Sequence, residues 1–494
     1  MPLHLPRRRV LRAVIYLVCL SLVLDAADLI WVQIRRDVRP GFGTTRIVAP
    51  VLPDGSVDYL MAHDNVYGQG VTPENNAAVL LLSAVGRDAL PSNQPTDGMT
   101  DRLGMPHLAD KGDYFVGYEP YCRKHSADGG GDPLFTSPQL RWPPSIAPIA
   151  AQWVKENEKP LDLIVESSRR TRFFIPWYAG ARPELLVEIL LPHLNAIQDA
   201  GRALLTRAML RLEDGDVAGF EDNVLAVHRL ARLLAQAPTL IEQLAAWGPL
   251  ESAACRVDRL AAASGKLSAE QLRQLRDQLA ALGEMPPYAA CIDEGERFLT
   301  LDIMQTIAHG SPERRDLAAN VMCHGNLDIP KGIPDLAVRF WPIPCEDSMR
   351  LLNDYYDGMI AAAREPTYPR RIAALNLWNE DLVKLHGRNW IFSVVSPDLA
   401  VSALMLSPVK CENHFDETRM ERRLTLIALA LAEYKAGHGN YPVNLGGLPV
   451  DSNDLYVDRP LIYAPNDKGY LLYSVGPDMT DDGGKGDDIA ANVP

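Results

Sequence analysis

The chain holds 494 residues, 47% of them hydrophobic, which is enough to fill the cores of two or three ordinary domains and too apolar for a wholly disordered protein. Its 49 Lys+Arg against 63 Asp+Glu leave a net charge of −14, which excludes the basic face a nucleic-acid binder needs to displace counterions from phosphates. Mean hydropathy near zero excludes a polytopic membrane protein.

The N-terminal end departs from this acidity. Behind Arg7, Arg8, Arg9 and Arg12, the run Ala13 to Leu24 is strictly apolar, and residues 26–34 extend it. The strict core is short and suits a signal-peptide h-region, whereas the run as far as Ile34 approaches the roughly 20 residues of a spanning helix. Asp25 and Asp28 oppose a span, at about 3 kcal/mol each at a bilayer centre and less near its edge. Cleavage after Ala26 is opposed by Leu24, where a small residue is usual. The expectation is a cytoplasmic tail over 1–9 and a single-pass membrane anchor over 10–34, with the body outside the cytoplasm. The alternatives are cleavage, which gives a secreted or periplasmic protein, and a buried soluble helix. Cys19 lies in this segment. The other six cysteines could pair in any of 15 ways in an oxidising space, and sequence does not choose among them.

Residues 35–183 are rich in turn signals (Pro40-Gly41, Pro53-Asp54-Gly55, Gly129-Gly130-Gly131, Pro143-Pro144), which predicts a mixed domain of short helices and long loops. Thr72-Pro73-Glu74-Asn75, read as an N-cap followed by a first-turn proline, predicts a helix through Ala77 to Val85. Trp142, Trp153 and Trp177 are expected to pack the loops down. Residues 184–412 form the predicted helical body. Leu204, Ala208, Leu212 and then Val224, Val227, Leu230, Ala231 and Leu234 recur at three and four, as amphipathic helices require. Gly215-Asp216, Pro238-Thr239 and the Ser268/Gln271 capping box divide 184–282 into four helices. One Ala-rich hairpin here loosely resembles a tetratricopeptide unit, with no second copy at a fixed period, so a helical bundle and a repeat-like groove both stay open. Further helices are predicted near Cys291 to His309, Ser348 to Arg364 and Ile372 to Leu385.

The last helix is predicted from about Glu417 to Ala436, with Met420, Leu424, Ile427, Leu431 and Tyr434 on one face. Strand-like runs Leu461 to Ala464 and Tyr470 to Val475 follow, joined by a loop of hairpin length. The fold class is therefore mainly α, with a small C-terminal α+β module over 413–494.

Ala430 to Lys435, Gly439-Asn440-Tyr441-Pro442, Gly447-Leu448, Tyr473 to Asp478 and Gly486-Asp487-Asp488-Ile489 together resemble the globular domain of the major pseudopilins of type II secretion systems. The likeness covers roughly 417–489. It departs in the N-terminal segment, which has neither the pseudopilin processing site nor its glutamate, and in total length. The whole chain looks more like the large bacterial envelope proteins that end in such a module. The resemblance implies calcium in the final loop, with Asp478 and Asp488 as side-chain ligands. The residues point the same way: Asp478, Asp481, Asp482, Asp487 and Asp488 crowd into eleven positions against Lys485 alone, and calcium takes six to eight oxygens. Asp487, Asp482 and the Val475 carbonyl complete the candidate ligand set. An EF-hand reading fails because Ile489 stands where the bidentate glutamate belongs. A solvated acidic tail is the alternative.

Cys122-x-x-His125 and Cys411-x-x-His414 could together supply a zinc set, or Cys122 and Cys411 a disulfide. His63-Asp64, His324 and His386 could belong to a hydrolase assembled by folding. The arginine groups 169–172 and 419–423 are expected to be solvated or to pair with the acidic surplus. No nucleophile, phosphate-loop, dinucleotide or metal-hydrolase motif is present. The sequence thus favours a non-enzymatic envelope protein whose helical body binds a protein partner, with an envelope hydrolase as the rival.

Overall fold

In a computed structural model of the chain, the described residues are 38–92, 94–125, 147–324, 344–386, 404, 408–466 and 469–493. The predicted segment 10–34, Trp142 and the side chains of Cys323, His324 and His386 lie outside them.

Short helices open the described chain: α1 (Tyr59–Tyr67), α2 (Ala77–Val85), α3 (Thr96–Leu103), α4 (Tyr118–Lys124), α5 (Ala147–Glu156) and α6 (Glu158–Ser167). The N-cap of α2 is Asn76 and not Thr72. Its carboxamide oxygen accepts from the Ala78 N–H and also from the Phe174 N–H, so a contact distant in sequence fixes where the helix starts. Trp153 is buried and donates through Nε1 to the Val116 carbonyl (2.7 Å), while Trp177 is buried beneath the loop it belongs to.

The four-helix reading of 184–282 matches the structure: α7 (His193–Glu213), α8 (Val217–Leu234), α9 (Leu240–Ala245) running through a π-helical turn (Ala246–Ser252) into α10 (Ala253–Ala263), and α11 (Ala269–Ala281). Capping boxes start two of these, Thr239/Glu242 on α9 and Ser268/Gln271 on α11. Pro249 lies within the π turn, where its missing N–H removes a helical bond. A second π turn (Cys291–Glu296) leads into α12 (Arg297–His309). Gly295 is obligatory there, because a Cβ would fall 1.7 Å from the Pro238 carbonyl oxygen. Then come α13 (Pro312–His324), α14 (Cys345–Ala363), α15 (Tyr368–His386) and the long α16 (Pro408–His438).

The only sheet among the described residues is antiparallel: β1 (Ile462–Pro465) against β2 (Tyr470–Ser474) against β3 (Ile489–Ala490), with Ile462 opposite Tyr473 and Ser474 opposite Ile489. The fold is therefore mainly helical with a small α+β end, as the sequence predicts. One hydrophobic core runs from Val38 to Ala432, and a second gathers Tyr368, Met420, Leu424, Ile427, Leu431, Tyr456 and Leu472. Helix α16 serves both. Phe415 and Leu429 point into the first core, and the predicted stripe of Met420, Leu424, Ile427 and Leu431 points into the second. Tyr434 leaves that stripe to stack on His438, their centroids 4.0 Å apart.

The expectation of a transmembrane helix is corrected here: among the described residues, no helix is long and apolar enough to cross a membrane. Even the 31-residue α16 fails, because acidic and basic side chains interrupt its apolar stripe.

Candidate functional site

Strand β2 ends at Ser474, and the next residue, Val475, is buried and donates its N–H to Asp454 Oδ2 (3.0 Å); Asp454 Oδ1 also accepts from the Ser474 hydroxyl (2.8 Å). The chain then turns at Gly476, with φ +67°, where a Cβ would lie 2.1 Å from the Asp487 carbonyl oxygen. That close approach lets the loop return so that β3 pairs with β2.

Within the loop, the carboxylates organise the backbone. Asp487 Oδ2 accepts from the Asp478 N–H (3.0 Å), and Asp478 Oδ1 accepts from the Thr480 N–H (2.7 Å). Asp488 Oδ2 accepts from the N–H groups of Asp482 (3.1 Å) and Gly484 (2.7 Å). Asp481 is drawn aside by the Tyr473 hydroxyl (2.8 Å) and the Gly483 N–H. Asp478, Asp482 and Asp487 are left exposed, each with one carboxylate oxygen within 4.8 Å of the others. Oxygens sharing a calcium ion at about 2.4 Å lie no farther apart than about 4.8 Å, so the spacing fits. Asp488 stands behind them with Oδ1 buried and without a hydrogen-bond partner. Asp482 holds its proton above the usual range, through desolvation and then the repulsion of Asp478, Asp488, Asp487 and Asp481. The folded loop thus concentrates negative charge that a divalent cation would neutralise. Of the five candidate ligands, three converge, Asp488 supports the backbone and Val475 lies just past the strand end.

Among the described residues the other predicted constellations do not assemble; the side chains of His324 and His386, which complete the hydrolase set, lie outside them. His63 is sealed in, 1% exposed, with its ring stacked 3.5 Å from that of Trp177 and Nδ1 3.3 Å from Asp64. Asp64 in turn accepts the N–H groups of Trp177 and Tyr178, so the pair pins a loop and meets no solvent. Cys122, Cys255, Cys291, Cys345 and Cys411 are free thiols, so no Cys122–Cys411 disulfide forms. Cys122, His125, Cys411 and His414 form no group of three possible metal ligands. The arginines pair with the acidic surplus: Arg169 with Asp222, Arg419 with Asp416, and Arg423 with Asp451.

One polar cluster escaped sequence reading. His228 on α8 is fully buried, with Nδ1 2.8 Å from Glu251 and Nε2 2.9 Å from Asp258. Glu251, in the π turn, also accepts from Arg232 (2.9 Å) and from Arg422 of α16 (3.4 Å). Burial alone would lower the His228 pKa, but the two carboxylates outweigh it and raise it, and a carboxylate facing each ring nitrogen is the arrangement that favours the imidazolium. Glu251 is held well below the usual carboxylate range because His228 and Arg232 outweigh its burial. Cys255 Sγ lies within 4.8 Å of His228 and Glu251, yet three cationic side chains already surround Glu251 and a metal ion there would meet them. The cluster is a structural ion knot, although Asp258 Oδ1 and Arg422 Nε have no hydrogen-bond partner in it. The one signal in the sequence was a histidine on an otherwise apolar helix face.

Comparison with protein-family models, with curated proteins and with solved structures finds no match to this chain.

Proposed function

We propose that the chain is a non-catalytic interaction protein in which a helical body carries an α+β end module closed by calcium. The observation that carries this reading is the convergence of Asp478, Asp482 and Asp487 on one point, backed by the buried, partnerless Asp488 oxygen. The likeness of 417–489 to pseudopilin globular domains supports it. Calcium would neutralise the loop and hold β3 against β2. The interaction half of the reading is supported by a groove lined by Tyr67, Phe173, Phe174, Trp177 and Leu190, the last 46% exposed, together with the polar His193, Gln236 and Glu242.

Calcium at about 100 times its Kd should stabilise the folded full-length chain by roughly 2.7 kcal/mol, seen as a rise in melting temperature over the same protein in EGTA. Asp478→Ala and Asp487→Ala should remove the rise, whereas Glu119→Ala, at an exposed carboxylate on α4, should keep it. Identical melting curves in calcium and EGTA would rule out the site. For the groove, Leu190→Glu should abolish capture of a stoichiometric partner after mild cross-linking, and undiminished capture would reject the groove as the docking face.

A further inference from the structure

A cavity of about 170 Å³ opens where three distant stretches meet: the chain leading into α1, the loop 182–186 and the facing sides of α12 and α13. Leu52, Leu60 and Leu186 supply an apolar wall, and five charged side chains complete the lining. Four of these neutralise one another. Arg182 clamps Asp58 through two parallel hydrogen bonds (2.9 and 2.6 Å), and Arg314 is held by the Glu184 carbonyl (2.6 Å) and carboxylate (3.2 Å). The fifth, Asp302, has no cation within ion-pair distance among the described residues, and its one hydrogen bond is Oδ2 to the Leu186 N–H (2.9 Å). It is half-buried and lines the cavity. Three carboxylates against two guanidiniums leave the lining one negative charge in excess.

The geometry points to a binding site for a small primary ammonium ion with a short apolar tail, its charge on Asp302 and its tail against Leu52, Leu60 and Leu186. The volume suits this, since a cavity of about 150 Å³ holds a benzene-sized ligand. A free carboxylate this deep costs stability in the empty protein: desolvation, opposed by the Leu186 N–H and Arg314 and aided by Asp58, pushes its pKa up to about 6. An ammonium guest removes that cost. An anion would face Asp302 directly, and both arginines are already committed.

Titrating the full-length protein with n-butylammonium, and separately with n-butanol and n-butyrate, tests the site. At pH 7.5 the ammonium ion should bind at least about tenfold more tightly than either comparison compound. Lowering the pH to 5 should weaken it about tenfold, as Asp302 takes up its proton; the other charged groups facing the cavity are the Asp58–Arg182 and Glu184–Arg314 pairs. Asp302→Asn keeps an acceptor for the Leu186 N–H; it should lose the preference for the ammonium ion and raise the melting temperature of the empty protein. Equal binding of butanol, preferential binding of butyrate, or retention of ammonium binding in Asp302→Asn would each overturn the assignment. If that variant fails to fold, the pH series and the two comparison compounds on the unaltered chain decide the matter.

Discussion

His228→Ala is expected to destabilise the protein by about 3–5 kcal/mol, the usual cost of breaking a buried ion pair by removing one partner. The loss is large because Asp258, fully buried and already with one oxygen unpartnered, is left with a carboxyl group whose pKa burial raises. His228→Leu combined with Asp258→Leu should cost less than either single change suggests, since it removes the His228 and Asp258 charges together and leaves Glu251 with Arg232 and Arg422. The pH dependence follows from the direction of the two shifts. A histidine whose folded pKa is raised adds stability fully below about pH 6.5, and that contribution is lost as pH rises through the folded value. Glu251, whose folded pKa is depressed, adds stability above about pH 4.5, and that is lost only in stronger acid. Urea denaturation from pH 5 to 9 should therefore show a steeper decline above pH 6.5 in the natural protein than in the double variant His228→Leu/Asp258→Leu, the decline owed to Glu412 being common to both. An unchanged decline in the variant would reject the imidazolium assignment.

Arg371→Leu is expected to be comparably damaging, again about 3–5 kcal/mol. From α15 this arginine reaches Glu412 (2.8 Å) and both oxygens of Asp416 (2.8 Å each) on α16, two carboxylates that are 0% and 1% exposed. Arg419 is their remaining partner, its guanidinium also lying over the Trp247 ring. Glu412 keeps its proton well above the usual range, because of burial first and Asp416 second, and its Oε2 has no hydrogen-bond partner. A carboxyl whose folded pKa is raised favours the folded state most in acid, and stability falls as pH rises above about 4.5. Arg371→Leu should steepen that fall. Adding Glu412→Gln should recover most of the loss at pH 8 and little at pH 4.5. Equal recovery at both would show that packing, not charge, holds α15 to α16.

Signals that act over one turn of chain were legible in the sequence. The Ser268/Gln271 capping box, the breaks at Gly215 and Pro238, and the Met420 to Leu431 stripe all appear where the sequence puts them, because donor, acceptor and apolar neighbours lie within a few residues. Features set by distant contacts were not legible. The start of α2 is fixed by Phe174 and the charge of His228 by Glu251, Asp258 and the rest of the knot, while the exposure of Asp302 depends on a cavity walled from three stretches. The aspartate loop lies between these extremes. Its composition announced a crowd of carboxylates, but which of them turn outward depends on the Tyr473 hydroxyl and on backbone N–H groups that only the folded hairpin brings near.

Because α16 is a wall of both cores, the C-terminal module has no seam at which a gene could be cut. A recombination point anywhere within 408–438 would give one product an apolar stripe without its sheet and the other a sheet without its helix, each exposing side chains the present chain keeps from water. The module's spread among proteins would require either copying α16 with both its faces or redesigning the face that Phe415 and Leu429 now press into the bundle.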